Sequence, residues 1–258
     1  MHEASIDGPC PNCTIPLSGR FCSHCGQRAV DLRPTLHELL HEASHEFLHF
    51  DGKIIRTLGL LLFRPGQLTQ EFIEGKRARS ITPLRLYLLA SVLFFGLLAL
   101  QPPKDLKISV TNGDARLTRA AARMNRDPTI LAHALQSAFP KAMFVLMPLF
   151  GLLVHAFYWR RERLYIPHFY FSVHYHAFVF VMFALFEVAG VPHWGMLRIA
   201  RLAFLLAPFP YLTMAARRVY GGGRLLNIGK TIAIVGIDLI LVLIAMAAIA
   251  YVTLQRFA

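Results

Sequence analysis

Two sets of residues have the types and spacing to do chemistry. The first is CPNCTIPLSGRFCSHCGQ, which holds every cysteine of the chain: Cys10, Cys13, Cys22 and Cys25. Two C-x-x-C pairs separated by eight residues suit a tetrahedral four-thiolate zinc site. Each pair forms a tight turn whose backbone amides can point at the thiolates, and Gly26 follows the second pair as such a turn requires. In a reducing compartment thiolates act as metal ligands rather than as disulfides. Four of them leave no open position for water or substrate, so the zinc is expected to be structural. A ribbon of roughly 30 residues buries too little apolar surface to fold alone, and metal binding supplies the folding energy. His24, between two ligands, is expected to be a bystander. Such a ribbon either docks a cytoplasmic partner or caps the terminus.

The second set is HELLHEASHEFLH, which contains H-E-x-x-H in three overlapping frames through His37, His41, His45 and His49. That motif is the zinc-binding core of many metalloproteases. Residues four apart are neighbours on a helix, so any adjacent pair could bind one metal ion. Each step of four drifts by about 40°, which sets the outer two histidines about 120° apart and out of reach of one site. Proteolysis also needs a third ligand and one glutamate aimed at the bound water. Glu38, Glu42 and Glu46 all qualify by spacing, and that redundancy is what a helix with i, i+4 repeats produces without any catalytic purpose.

The elements that must position these residues are apolar and long. Hydrophobic residues make up 55% of the 258 residues and charged residues only 16%, too apolar for an ordinary soluble domain. The apolar residues cluster near 84–100, 142–159, 166–190, 202–216 and 228–254. About 20 such residues cross a hydrocarbon layer, so five membrane spans are predicted, the fourth interrupted by Pro208 and Pro210. MHEASIDGPC lacks the pattern of a cleavable signal. Lys76, Arg77, Arg79 and Arg85 precede the first span, Arg160, Arg161 and Arg163 follow the second, and Arg217, Arg218, Arg224 and Lys230 precede the fifth. By the positive-inside rule the N-terminus is cytoplasmic and the C-terminus outside. The basic loop 101–140 runs against the rule, which longer loops obey less strictly. The net charge of +12 is thereby assigned to flanks that meet anionic lipid, and no nucleic-acid partner is expected.

Between ribbon and bundle, Thr35 and Glu38 fit a capping box. The helix it opens carries Leu36, Leu40, Ala43, Phe47, Phe50 and Ile54 as one apolar stripe. Further amphipathic segments at 53–63 and 65–74 lead to Gly75, a plausible residue just past a helix end. These pieces are expected to lie along the membrane surface. The predicted organisation is a ribbon over residues 1–30, interfacial helices over 31–82 and an all-α bundle over 83–258.

Five stretches follow one another in order: CPNC…FCSHCGQ, HEFLHFDG, FRPGQLTQEFIEGKRARSITPL, PHFYFSVHYHAF and RRVYGGG. Together they resemble an uncharacterised bacterial family of multi-pass membrane proteins with an N-terminal zinc ribbon. Phe72 stands where that family tends to have Tyr. The resemblance implies a bacterial inner-membrane protein and brings no activity with it. It selects His45, His49, Asp51, His168, His174 and His176, and leaves His37 and His41 outside.

Ionisable groups within a span are costly and mark candidate function. His174 and His176 fall about 9 and 12 Å beyond His168 along one helix, with His174 turned about 160° from His176. His176 and Glu187 lie nearly in register, and His155 and Asp238 on other spans extend this polar line. One reading joins His45 and His49 to His168 and His176 in a second metal site, for Fe or Zn chemistry on a lipidic substrate, completed by Asp51, His155 or Glu187. The other has neutral histidines bonding Tyr165, Tyr170, Tyr175 or backbone carbonyls between helices. The leading expectation is an accessory or scaffold protein whose ribbon contacts a cytoplasmic partner. Behind it come a metal-dependent membrane enzyme, a membrane protease, and an ion or proton transporter.

Overall fold

The computed structural model describes residues 8–28, 52–101, 115–127, 129–189 and 198–256. The capping box at Thr35 and the histidine-rich segment up to Asp51 lie outside them. Among the described residues the regular structure is helical, in nine segments, with only isolated bridges near the cysteines.

Helix α1 (Lys53–Phe63) buries Thr57 and Leu61 and ends before Pro65. Gly66, at φ 77°, turns the chain into α2 (Gln67–Ile73). A Cβ at Gly66 would lie 2.7 Å from the Ala215 carbonyl oxygen, so this turn is pressed against backbone far along the chain. Helix α2 closes as its sequence predicts. Gly75, at φ 82°, donates its N–H to Phe72 O, and Lys76 N–H reaches Glu71 O. These two bonds form a Schellman cap, which satisfies carbonyls that a helix end otherwise leaves open.

Helix α3 (Pro83–Ala99) starts with proline at its first position, where the missing N–H costs nothing. The arginine-rich α4 (Ala115–Arg126) precedes α5 (Thr129–Tyr158) and α6 (Tyr165–Val188). Then come α7 (Arg198–Leu206), α8 (Pro208–Tyr220) and α9 (Arg224–Arg256). Helix α6 is the centre of the bundle: α3 and α5 pack on it, and α1, α2 and α7 touch it. Gly151 lets α5 approach closely, since a Cβ there would meet Phe169 Cα at 3.4 Å. Phe180 on α6 stacks on Phe94 of α3, with centroids 5.5 Å apart. Phe178 on α6 stacks on Tyr211 of α8, whose hydroxyl donates to Leu61 O at 2.7 Å. Arg218 on α8 bonds Pro65 O, so α8 holds the α1–α2 corner at two points.

Helices α5, α6 and α9 are long and apolar enough to cross a membrane. Five crossings were predicted, and the other two segments form helices where expected but are shorter than those three. Helix α3 has 17 residues, at the short end of what spans a bilayer. The predicted span at 202–216 is divided between α7 and α8, because Pro208 starts a new helix. Conversely, the span predicted from 142 belongs to a helix that begins at Thr129 and runs through Pro140 and Pro148. Proline is tolerated in such helices where neighbouring helices and local adjustment re-satisfy the freed backbone groups. The α9 residues Leu239, Ile240, Leu243 and Ile244 are each more than half exposed, an apolar face suited to lipid rather than water.

Candidate metal centre

Residues 8–28 are built as one knuckle used twice, at a step of twelve residues. In the first, Cys10 N–H donates to Ile15 O and Thr14 N–H to Cys10 O. In the second, Cys22 N–H donates to Gln27 O and Gly26 N–H to Cys22 O. The bridges Pro9–Pro16 and Phe21–Arg28 repeat the same step. Each knuckle needs one residue at positive φ: Gly26 supplies it at 69°, and Thr14 adopts 63° in the equivalent place. That conformation is unfavourable for a β-branched residue.

The knuckles face each other through sulfur. Cys10 Sγ lies 3.6 Å from Cys25 Sγ, Cys13 Sγ lies 3.4 Å from Cys22 Sγ, and all four fall within 4.8 Å of one another. Tetrahedral thiolates at a metal–sulfur distance of about 2.3 Å place neighbouring sulfurs about 3.8 Å apart. The four cysteines are therefore compatible with one structural metal ion such as zinc. Among the described residues no other group of three or more His, Cys, Asp or Glu gathers this closely.

Their protonation is uneven. At Cys25 burial pushes the thiol up, but the Asn12 side chain, the Gln27 backbone and the Cys13 and Cys10 thiols outweigh it, bringing it to about 6. The backbones of Cys25 and His24 hold Cys22 below its ordinary value. At Cys13 the bond from the Ile15 backbone lowers the value, but burial and the three neighbouring thiols raise it to about 12. Cys22 and Cys25 are thus held below the ordinary thiol value and Cys13 above it, as expected of thiols crowded within one cluster. His24 is exposed, outside the sulfur cluster.

The cysteine module is seated on residues 75–79, between α2 and α3. Gln27 Nε2 donates to Gly75 O at 2.7 Å, and its Oε1 accepts the N–H groups of Arg77 and Ala78, each at 3.0 Å. Arg79 adds a bond to Asn12 O. The seat is itself braced. Arg56 on α1 bonds Arg79 O and lies 3.6 Å from the Glu71 carboxylate. Thr57 donates to Lys53 O and accepts the Ile81 N–H. The Arg77 guanidinium rests 4.8 Å from the Phe72 ring centroid. Gln27 follows Cys25 by two residues, so metal site and seat share one turn. No periodicity or spacing rule marks a glutamine for such reach, although it closes the quoted CGQ.

The histidines of α6 are buried and take different partners. His168 Nδ1 bonds the Tyr220 hydroxyl at 2.9 Å and Nε2 bonds Glu162 O at 3.0 Å, so both ring nitrogens are engaged. Its ring meets His155 edge-on at 4.9 Å. His174 Nδ1 bonds Thr69 of α2 at 2.9 Å. His176 Nδ1 donates to Ser172 O at 2.9 Å, and its ring meets Phe150 of α5 edge-on at 5.0 Å. The expected divergence of His174 from His176 is thus visible in their neighbours, α2 for one and α5 for the other. Glu187 is half-buried near the far end of α6. On α5 and α9, His155 Nδ1 and one Asp238 oxygen are buried without a hydrogen-bond partner among the described residues. His45, His49 and Asp51 fall outside the described residues. Within those described, His168, His174, His176 and Glu187 do not converge on one point.

Among the described residues, fold and site together define an all-helical protein with three helices long and apolar enough to cross a membrane and one four-sulfur cluster. Residues 51–95 match a family described as a protein of unknown function (DUF3667). The matched segment covers α1, α2 and most of α3, and so contains the seat of the cysteine module but not the cysteines. No curated protein and no solved structure matches the chain.

Proposed function

We propose that this chain is an integral-membrane scaffold protein. Its four cysteines hold one structural zinc ion, and its zinc module is a rigid cytoplasmic platform for a protein partner. The observation that carries the reading is the combination of a closed sulfur cluster with the Gln27 seat. Four thiolates around zinc leave no site for substrate, and a module tied to its own bundle by four hydrogen bonds is built to hold position. Its outward surface includes Phe21, 60% exposed. Lys76, Arg77 and Arg79 lie at the module's own seat, and Arg218 binds the corner beside it. This basic end supports an N-terminus in the cytoplasm, a C-terminus outside, and residence in a bacterial inner membrane. With α3 and the α7–α8 pair completing the bundle, the chain crosses five times over residues 83–258. Residues 31–82 form the interfacial layer and residues 1–30 the ribbon.

A second reading, a metal-dependent membrane enzyme, rests on His176. Its Nδ1–H is fixed by a backbone carbonyl, the arrangement that orients a histidine to ligate through its other nitrogen. Metal analysis of the purified protein separates the two. One equivalent of zinc, lost in Cys10→Ser with Cys22→Ser, is the scaffold result. A further equivalent of iron or zinc that survives those changes and disappears with His45→Ala and His176→Ala overturns it in favour of the enzyme.

A further inference from the structure

At the end of the bundle away from the cysteine module, α5 and α9 enclose a groove of about 370 Å³. Its walls are two helix faces. Ala134, Ala138 and Lys141 recur at steps of four and three on α5, and Ala248, Val252 and Arg256 at steps of four on α9. The helices run antiparallel in a register fixed by three contacts. Lys230 Nζ bonds Phe157 O, the Tyr158 hydroxyl bonds Asn227, and Leu254 shares an apolar cluster with Leu131. In that register Arg256 closes one end of the groove and Lys141 the other. The small alanines leave the space between them open.

Its depth follows from helix geometry. The exposed Trp159 marks one membrane–water boundary, since aromatic residues concentrate there. A hydrocarbon layer of about 30 Å at 1.5 Å per residue puts the opposite boundary about 20 residues away. That falls near Ala138 on α5 and, opposite it in this register, Ala248 on α9, with Tyr251, 52% exposed, just beyond as a second aromatic marker. Lys141 then lies about 5 Å inside the boundary and Arg256 about 12 Å outside it, on either side of the head-group layer.

The charge is unbalanced. No acidic residue lines the groove, and neither Lys141 nor Arg256 makes a hydrogen bond or ion pair among the described residues. Ser137 and Thr253, also in the wall, already donate their hydroxyls to Ala134 O and Ile249 O of their own helices. The donors left to meet a ligand are the two cations. One helical turn deeper, Val145 and Ile244 are 61% and 59% exposed, an apolar track continuing from the groove into the hydrocarbon.

We infer that this groove binds an anionic phospholipid from the leaflet opposite the cysteine module. Lys141 and Arg256 bracket its phosphate, and an acyl chain follows the Val145–Ile244 track. A free phosphate satisfies the cations but has no use for the track.

The test is native mass spectrometry of the full chain in detergent, titrated with phosphatidylglycerol, phosphatidylcholine or inorganic phosphate. The expected result is retention of one phosphatidylglycerol at concentrations where phosphatidylcholine dissociates. Lys141→Gln with Arg256→Gln lowers that retention at least tenfold, at about a few-fold or more per cation removed. Ala138→Leu keeps both charges, fills the groove and has the same effect, so a folding defect in the first variant does not decide the matter. Arg160→Gln with Arg161→Gln, at the other end of the bundle, leaves retention unchanged. Equal retention of both lipids, or no effect of either groove variant, overturns the inference. Displacement of the lipid by inorganic phosphate overturns the lipid assignment in favour of a plain anion site. Zinc content stays the same in every variant, so failure here leaves the scaffold reading standing.

Discussion

Replacing Gln27 with Ala tests the coupling between the cysteine module and the membrane-proximal helices without touching a metal ligand. The side chain makes three hydrogen bonds, to Gly75 O, Arg77 N–H and Ala78 N–H. A neutral hydrogen bond contributes about 0.5–1.5 kcal/mol net. Gln27 is half-buried, so water replaces part of what is lost and the lower half of that range applies, about 0.7 kcal/mol per bond. About 2 kcal/mol is expected for the set, or roughly a 30-fold shift toward the unseated state. Hydrogen exchange read by mass spectrometry on peptides over residues 75–79 reports this directly, because two of the three partners are backbone amides. Exchange of Arg77 and Ala78 should rise about 30-fold while zinc content holds at its wild-type value. Gln27→Glu keeps the two acceptor bonds and loses the donation to Gly75 O, so it should fall between. Unchanged exchange at 77–78 in Gln27→Ala refutes the seat. Loss of zinc in the same variant refutes the separation of seat from metal site.

Gly66→Ala should lower thermal stability in detergent by about 3 kcal/mol, from left-handed backbone strain plus a contact with the Ala215 backbone that cannot yield. Gly59→Ala, inside α1 with open space around it, should be neutral or stabilising by about 0.8 kcal/mol, and a matching loss there refutes the close-approach argument. Thr14→Gly should raise zinc affinity several-fold in a chelator competition, by removing about 1 kcal/mol of strain at the place where the second knuckle has Gly26. Asp127 accepts both the N–H and the hydroxyl of Thr129, at 3.1 and 2.5 Å, and these bonds hold its carboxyl below its ordinary value. Its stabilisation of the start of α5 is therefore present above the unfolded value and lost as pH falls through the lower folded one. Exchange at residues 129–132 should rise over that acidic window, and a flat profile, or the same rise in Asp127→Asn, counts against the cap.

The cysteine cluster was legible because metal ligation imposes spacing on the chain: C-x-x-C twice leaves few other uses for four thiols. The apolar runs were legible for a similar reason, since length and composition alone decide whether α5, α6 and α9 reach across a bilayer. The runs at 84–100 and 202–216 were harder because end effects decide them. Pro208 restarts a helix within one, and Pro83 and Ala99 bound the other at 17 residues. Gln27, Thr69 and Tyr220 were not legible. Each acts across 48 or more residues through the polar contacts of a single side chain, and no local pattern encodes such a partner. The protease-like repeat lies outside the described residues, and its spacing is one that any helix repeating His and Glu at four-residue steps satisfies.

The Gln27 seat also has a consequence for synthesis. Every group that holds the cysteine module, from Arg56 and Thr57 to Arg79 and Ile81, precedes Pro83 in the chain. The ribosome therefore finishes the module, its brace and its seat before it begins the first apolar helix. Domains fold N-terminal first during synthesis. The module can be seated before the long apolar helices are made, and the bundle is then assembled against a seat already in place. The later contacts, Tyr211 to Leu61 and Arg218 to Pro65, lock the α1–α2 corner only when α8 arrives.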